Sequence, residues 1–144
     1  MQYWWVNQNK TYRQEIDGGY LWAPKSGVWH HEILTQIKPG DLVFSFKDTY
    51  ISAIGVVQRS AQTMAKPDFG SHGENWSDIG WYVETEFVEI ANQIKPSELM
   101  SAINPLLPEK YSPIQSETGR GNQIYLTEIS PKLADLLIQL SRED

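Results

Sequence analysis

Three runs of alternating apolar and β-branched residues constrain this chain most: Leu42 to Phe46, Tyr50 to Gln58, and Trp81 to Ile90. In the last, Trp81, Val83, Thr85 and Phe87 fall on one face and Tyr82, Glu84, Glu86 and Val88 on the other. A period of two is that of a half-exposed strand. Only Lys47-Asp48-Thr49 separates the first two runs, which predicts a hairpin. Gly55 inside the second predicts a bulge or a close backbone approach. Residues 2–7 form another strand, with Tyr3, Trp5 and Asn7 on one face and Trp4 and Val6 on the other. Gln123 to Leu126 is the last strand.

Helices sit between and after these strands. Trp29, Ile33 and Ile37 at i, i+4, i+8 predict a short helix over Val28–Ile37, and Pro96 to Asn104 predicts another. Ser130 followed by Pro131 is a helix start, and Leu133, Leu136, Leu137 and Leu140 form one stripe. Residues 8–19 read as polar chain ending in a Gly18-Gly19 turn. Residues 59–80 read as a long irregular excursion, a length commonly tied to function. The expected fold is α+β and mainly β: a barrel of five or six mostly antiparallel strands with peripheral helices. Residues 1–144 read as one domain.

Composition narrows the function classes. Zero cysteines exclude disulfides and thiolate metal sites, and Met1-Gln2-Tyr3-Trp4-Trp5-Val6 lacks the pattern of a signal peptide. No apolar run approaches the roughly 20 residues of a membrane span. A cytoplasmic protein with no membrane partner is the expectation. Net charge is −6, unlike the basic surface of proteins that bind mainly through phosphates. The acidity is uneven. Residues 1–60 carry six Lys/Arg against five Asp/Glu, while residues 61–144 carry six against thirteen. Any nucleic acid would therefore be held mainly by a pocket with a locally basic rim.

Three tryptophans suggest such a pocket. Trp76 and Trp81 lie in His72-Gly73-Glu74-Asn75-Trp76-Ser77-Asp78-Ile79-Gly80-Trp81, and Trp22 in Gly18-Gly19-Tyr20-Leu21-Trp22-Ala23-Pro24-Lys25. Indoles delivered from glycine-rich loops suit the sandwiching of a flat ligand such as an unstacked base. The alternative is that they plug a barrel end or staple loops to the core. With no acidic cluster beside Trp22, a methylated ammonium is disfavoured as the caged ligand.

The order of these pieces resembles the EVE branch of the PUA superfamily, whose relatives include the YTH readers of methylated RNA. The resemblance rests on Tyr3-Trp4-Trp5-Val6, Lys38-Pro39-Gly40-Asp41-Leu42-Val43-Phe44, Ala53-Ile54-Gly55-Val56-Val57, and the placing of Trp22, Trp76 and Trp81. "GGYLWAPK", "GENWS" with its following "GW", and "LLPEKYSP" are similar to the N-terminal recognition modules of HNH-type, modification-dependent restriction endonucleases. The resemblance implies a PUA-like barrel that binds 5-methylcytosine or 5-hydroxymethylcytosine in DNA by flipping the base into an aromatic cage. The expectation is a recognition module, not an enzyme, with catalysis in a fused or associated nuclease domain. Methylated RNA, N6-methyladenine, or a protein bound in the cage are the alternatives.

For that chemistry Trp22, Trp76 and Trp81 are the cage. Trp5 or Tyr20 is a substitute should one of them prove to be core. The polar edge of cytosine needs one acceptor and two donors; Asn7, Asn75 and Asp78 are candidates, with backbone groups at Ala23 and Ser45. Asn7 ranks first because it shares a strand face with Tyr3 and Trp5. Arg120, flanked by Gly119 and Gly121, is the foremost phosphate contact, with Lys25, Lys10 and Arg13 behind it. No metal site, cofactor or catalytic group is expected. His30 and His31 are adjacent and point about 100° apart on a helix, unlike the i, i+4 pair of HExxH.

Overall fold

The structure, a computed structural model, describes residues 1–70 and 74–142. Among the described residues seven strands make one continuous sheet: β1 (Tyr3–Asn7), β2 (Tyr20–Pro24), β3 (Leu42–Lys47), β4 (Tyr50–Val57), β5 (Gln62–Ala65), β6 (Ile79–Ile94) and β7 (Leu126–Ile129). Their order is β2-β6-β4-β3-β1-β7, with β5 added to β6. All neighbours are antiparallel except β1 and β3, which run parallel. The long strand β6 joins the sheet together. Its first half pairs with β2 and β5, its second half with β4. Helices α1 (Tyr12–Gly18), α2 (Trp29–Glu32), α3 (Met100–Ile103) and α4 (Pro131–Ser141) lie outside it. The half-barrel is the mainly β, α+β fold that the alternating runs predict.

Alternation along the strands produces two cores. Trp5, Phe44, Phe46 and Ile51 face one way and pack under Leu133 and Leu137 of α4. Trp4, Val6, Val43, Leu21 and Val83 face the other, under Leu34 and Ile37. Asp41 ties the first core-forming strand in place, its carboxylate accepting from Gln2 N, Trp4 Nε1 and Lys38 N at 3.0 Å each. The hairpin turn puts Asp48 at φ 48° and Thr49 at φ 72°, the positive values that a tight turn between twisted strands requires. At Gly55 a Cβ would stand 2.6 Å from Thr85 Cγ2 and 2.7 Å from Phe87, so this glycine marks a close approach. The register shifts fall elsewhere, at Ser45/Phe46 and Ile51/Ala53.

Several boundaries differ from the sequence expectation. Residues 8–19 hold a helical turn (Asn9–Thr11) and α1, which closes on Gly19 at φ 73°. The excursion 59–80 contains β5. The last strand begins at Leu126, since residues 123–125 are drawn aside to line a cleft. The helix expected over 28–37 is split into α2 and a 3-10 turn, Ile33–Gln36. Helix α4 starts as predicted, with Ser130 Oγ accepting from Leu133 N at 3.2 Å.

Candidate base-binding pocket

A cleft of about 780 Å³ opens where β1 ends, lined by residues 7–11, residues 22–24 of β2, His30 and His31 of α2, Trp76, and residues 121–125. That volume falls within the roughly 300–1,000 Å³ typical of small-ligand sites and has room for a pyrimidine or a purine. None of the described lining residues is acidic, and Lys10 supplies a cation. On a chain of net charge −6 this is a local exception to the acidic surface.

Trp22 and Trp76 come together here. Their ring centroids are 6.3 Å apart with an interplanar angle of 27°, and Phe69 packs against both at 5.9 and 5.7 Å. Trp22 is only 2% exposed whereas Trp76 is 39% exposed. The difference arises from the backbone. Trp22 is delivered by a strand and not by a loop, its Nε1–H donating to Met64 O at 3.2 Å. Gly80 on the neighbouring strand makes the space, because a Cβ there would lie 2.4 Å from the Trp22 ring.

Trp81 is not the third wall. In the β2–β6 register it sits opposite Ala23, while Trp22 sits opposite Tyr82, so strand alternation sends the two tryptophans to opposite faces. Trp81 packs on the second core, donates to Glu32 Oε2 at 3.1 Å, and lies under Lys25 Nζ at 4.1 Å from its ring centroid. Tyr20 does not replace it: its ring stacks on Tyr82 at 5.3 Å, outside the cleft.

The polar candidates are sorted equally sharply. Asn7 lines the cleft, but its side chain is committed to the protein. Its Oδ1 accepts from Trp5 Nε1 at 2.8 Å, and its Nδ2 donates to Pro113 O, Ile124 O and Asn122 O at 3.0, 3.0 and 3.3 Å. Ser45 is buried on the central strand β3 and lies outside the lining, unlike Ala23. Asn75 and Asp78 are exposed and also outside it. Among the basic residues, Lys10 lines the cleft, and Arg120 is exposed one residue before its wall at Gly121. Lys25 is held by Thr63 Oγ1 at 2.6 Å. Arg13 is paired with Asp17 at 3.0 Å and Glu89 at 2.7 Å and lies outside the lining. His72 and Gly73 lie outside the described residues.

The sequence reading missed the groups behind the wall. Glu15 of α1 is fully buried and accepts from three side chains: Thr11 Oγ1 at 2.7 Å, Gln8 Nε2 at 3.4 Å, and Tyr125 Oη. The Tyr125 hydroxyl also accepts from Trp22 N at 3.2 Å, so the network links three walls of the cleft. Burial pushes the Glu15 carboxyl up to about 7, opposed in part by the hydrogen bonds from Tyr125, Thr11 and Gln8. Burial, then the neighbouring Glu15, holds the Tyr125 hydroxyl well above its ordinary value. His30 accepts from Tyr125 N at 2.9 Å through Nδ1, which fixes the neutral tautomer with the proton on Nε2. Burial lowers both histidines, and His31 falls to about 4 with His30 beside it. The pair His30-His31 raised only a metal or nuclease reading in the sequence, which their spacing disfavours; its place in the pocket wall carried no local signal.

A pH prediction follows from Glu15. Its folded value lies above the ordinary 4.5, so its contribution to stability is full below 4.5 and is lost as pH rises to about 7. His31 acts in the opposite sense over an overlapping range. Urea denaturation of wild type and Glu15→Gln across pH 4–8 isolates the carboxyl: the variant should gain relative stability as pH rises. A constant difference across that range would place Glu15 in an ordinary environment.

Solved structures share this architecture. The Pho92 YTH domain in complex with m6A superposes with a TM-score of 0.68 at 11% identity, covering 99% of this chain and 87% of that one. Human THYN1 in complex with 5-methylcytosine containing DNA gives 0.64 at 12%, covering 100% and 99%. The Toxoplasma CPSF4-YTH domain in apo form gives 0.63 at 15%, covering 99% and 87%. The fold is YTH- and EVE-like. Identities this low carry the fold alone. No family model and no curated protein matches the sequence. Within this fold the cleft brings Trp22 and Trp76 face to face, and none of its described lining residues is acidic.

Proposed function

We propose that this chain reads a modified base in nucleic acid, taking a flipped 5-methylcytosine or 5-hydroxymethylcytosine of DNA between Trp22 and Trp76. The observation that carries this reading is the pair of facing indoles on a cleft that has Lys10 and no acidic lining. Sandwiching a base between parallel rings needs roughly 7 Å, two contact distances of about 3.5 Å. The 6.3 Å centroid spacing is a little short of that, so the exposed Trp76 moves outward as the base enters while Trp22 stays fixed. Stacking returns roughly 1–3 kcal/mol per base against an extrusion cost of a few kcal/mol. Burying a methyl adds only about 0.8 kcal/mol, near fourfold, so polar contacts must supply the remaining selectivity.

The choice of cytosine in DNA rests on the sequence resemblance and on a fold shared with THYN1 in complex with 5-methylcytosine containing DNA. A second reading, a methylated adenine in RNA, is favoured by the same fold in the m6A complex of the Pho92 YTH domain. Under the first reading the module is the sensor of a modification-dependent restriction endonuclease, with cleavage carried by a fused or associated domain.

A binding panel separates these readings. Short duplexes differing only in cytosine modification, with m6A-bearing RNA as a further arm, should show tightest binding to the modified DNA. Trp76→Ala should lose about 1–3 kcal/mol with the modified duplex and remove most of the preference. Lys10→Ala and Arg120→Ala should weaken modified and unmodified duplexes alike and flatten the salt dependence. Preference for the RNA would select the second reading. Absence of binding to every nucleic acid at low salt would overturn both.

A further inference from the structure

We propose that Gln8 is the specificity-determining acceptor of this pocket, reading the exocyclic amine of the bound base and so restricting the site to amino-bearing nucleobases. The inference rests on the base-reading function above and assigns the contact that methyl burial cannot provide.

Three observations carry it. Gln8 lines the cleft and is only 3% exposed, and its buried Oε1 has no hydrogen-bond partner among the described residues. A buried acceptor left unpaired is costly, and it persists where a ligand supplies the missing donor. The orientation of the amide is fixed by chemistry. Its Nε2 stands 3.4 Å from Glu15 Oε1, and Thr11 Oγ1 and Tyr125 Oη donate to the same carboxylate. Turning the amide over would set Oε1 against a carboxylate oxygen, so the acceptor end is the free one. The backbone is pinned as well, with Gln8 N donating to Phe46 O at 3.0 Å and Thr11 N donating to Gln8 O at 2.9 Å.

An oriented acceptor recognises an N–H donor. Cytosine at position 4 and adenine at position 6 present one, and a single methyl on the adenine amine leaves one hydrogen in place. Thymine and hypoxanthine present a carbonyl there, which would oppose Oε1 lone pair to lone pair. His30, with its proton fixed on Nε2 and no partner for that nitrogen among the described residues, supplies a donor on the α2 wall for a ring or carbonyl acceptor.

Thymine is 5-methylcytosine with the amine exchanged for a carbonyl and a proton added at N3, and 5-methyl-2-pyrimidinone is the same base with the amine alone removed; together they give a direct test. Single strands remove differences in the cost of base extrusion. Wild-type protein at pH 8, where Glu15 is ionised, should bind a strand with one 5-methylcytosine about tenfold or more tighter than the same strand with thymine. A 5-methyl-2-pyrimidinone base, which lacks the amine without adding an oxygen, should lose a similar factor. Gln8→Met keeps side-chain length and removes both polar atoms. It should bring the 5-methylcytosine and 5-methyl-2-pyrimidinone strands, which differ only in the amine, to within about twofold of one another while thermal denaturation shows a folded protein. Equal wild-type affinity for 5-methylcytosine and thymine would overturn the inference, as would an unchanged ratio between 5-methylcytosine and 5-methyl-2-pyrimidinone in Gln8→Met, and both leave the base-reading function standing. Failure of wild type to bind any of the strands or duplexes would remove that function and the inference with it. Should Gln8→Met not fold, the wild-type comparison with the 2-pyrimidinone strand decides alone.

Discussion

Replacing Trp22 with alanine is expected to cost about 3–5 kcal/mol of folding stability, the range for deleting a large buried aromatic. The side chain is 2% exposed, is packed between Phe69 and Trp76 on one side and Gly80 on the other, and donates to Met64 O on β5. Removing it opens a cavity and releases the hold of β2 on the β5–β6 connection. Trp76→Ala, on a ring 39% exposed, should cost under about 1 kcal/mol, within the range of an ordinary surface change. Under the proposed function the two tryptophans divide their work, Trp22 as fixed floor and Trp76 as movable wall. Urea unfolding of both variants tests the division, and equal losses would refute it. Gly80→Ala attacks the same packing from below. Its Cβ would fall 2.4 Å from the Trp22 ring and 2.3 Å from Ala23 O, so it should destabilise the fold with every aromatic residue left in place.

The contrast between Trp22 and Trp76 shows what the sequence can express. Alternation in residues 42–46, 50–57 and 81–90 is a local property, and the strands formed there because a period of two buries one face whatever the partner. The alternation on β1 likewise sent Trp5 to one core and Trp4 to the other. Strand β2 was not legible. Four residues between a glycine pair and a proline look like a loop until β6 is present to pair with them. Because that pairing also decides which face each residue takes, the place of Trp81 could not be read from its resemblance in setting to Trp76. The wall of residues 121–125 and the Gln8–Glu15–Tyr125 network were equally invisible. They depend on contacts between residues more than a hundred positions apart, such as Glu15 with Tyr125, and a lone glutamate in a polar stretch gives no sign that it will be buried.

Asn7 is the residue whose role changes most between sequence and structure, and the change is measurable. As a base-reading group it would affect binding and leave stability untouched. As the structure has it, Asn7 joins β1 to the segment that closes the cleft, accepting from the fully buried Trp5 indole and donating to the carbonyls of Pro113, Asn122 and Ile124. Asn7→Ala leaves the Trp5 Nε1–H without an acceptor, a loss of about 1–3 kcal/mol for a buried donor. The carbonyls lose their shared donor, and together the expected loss is about 3 kcal/mol. Asn7→Asp keeps the acceptor for Trp5 but turns a negatively charged oxygen toward the carbonyls, so it should be at least as damaging. Hydrogen exchange gives the local readout: the Asn122 amide, bonded to Pro113 O at 2.9 Å, should lose protection in both variants before the amides of β3 and β4 do. The loss of the wall should weaken binding of modified and unmodified DNA together, because it deforms the cleft instead of removing a base contact. Full stability in Asn7→Ala with a selective loss of modified-base binding would return Asn7 to the role its strand face first suggested.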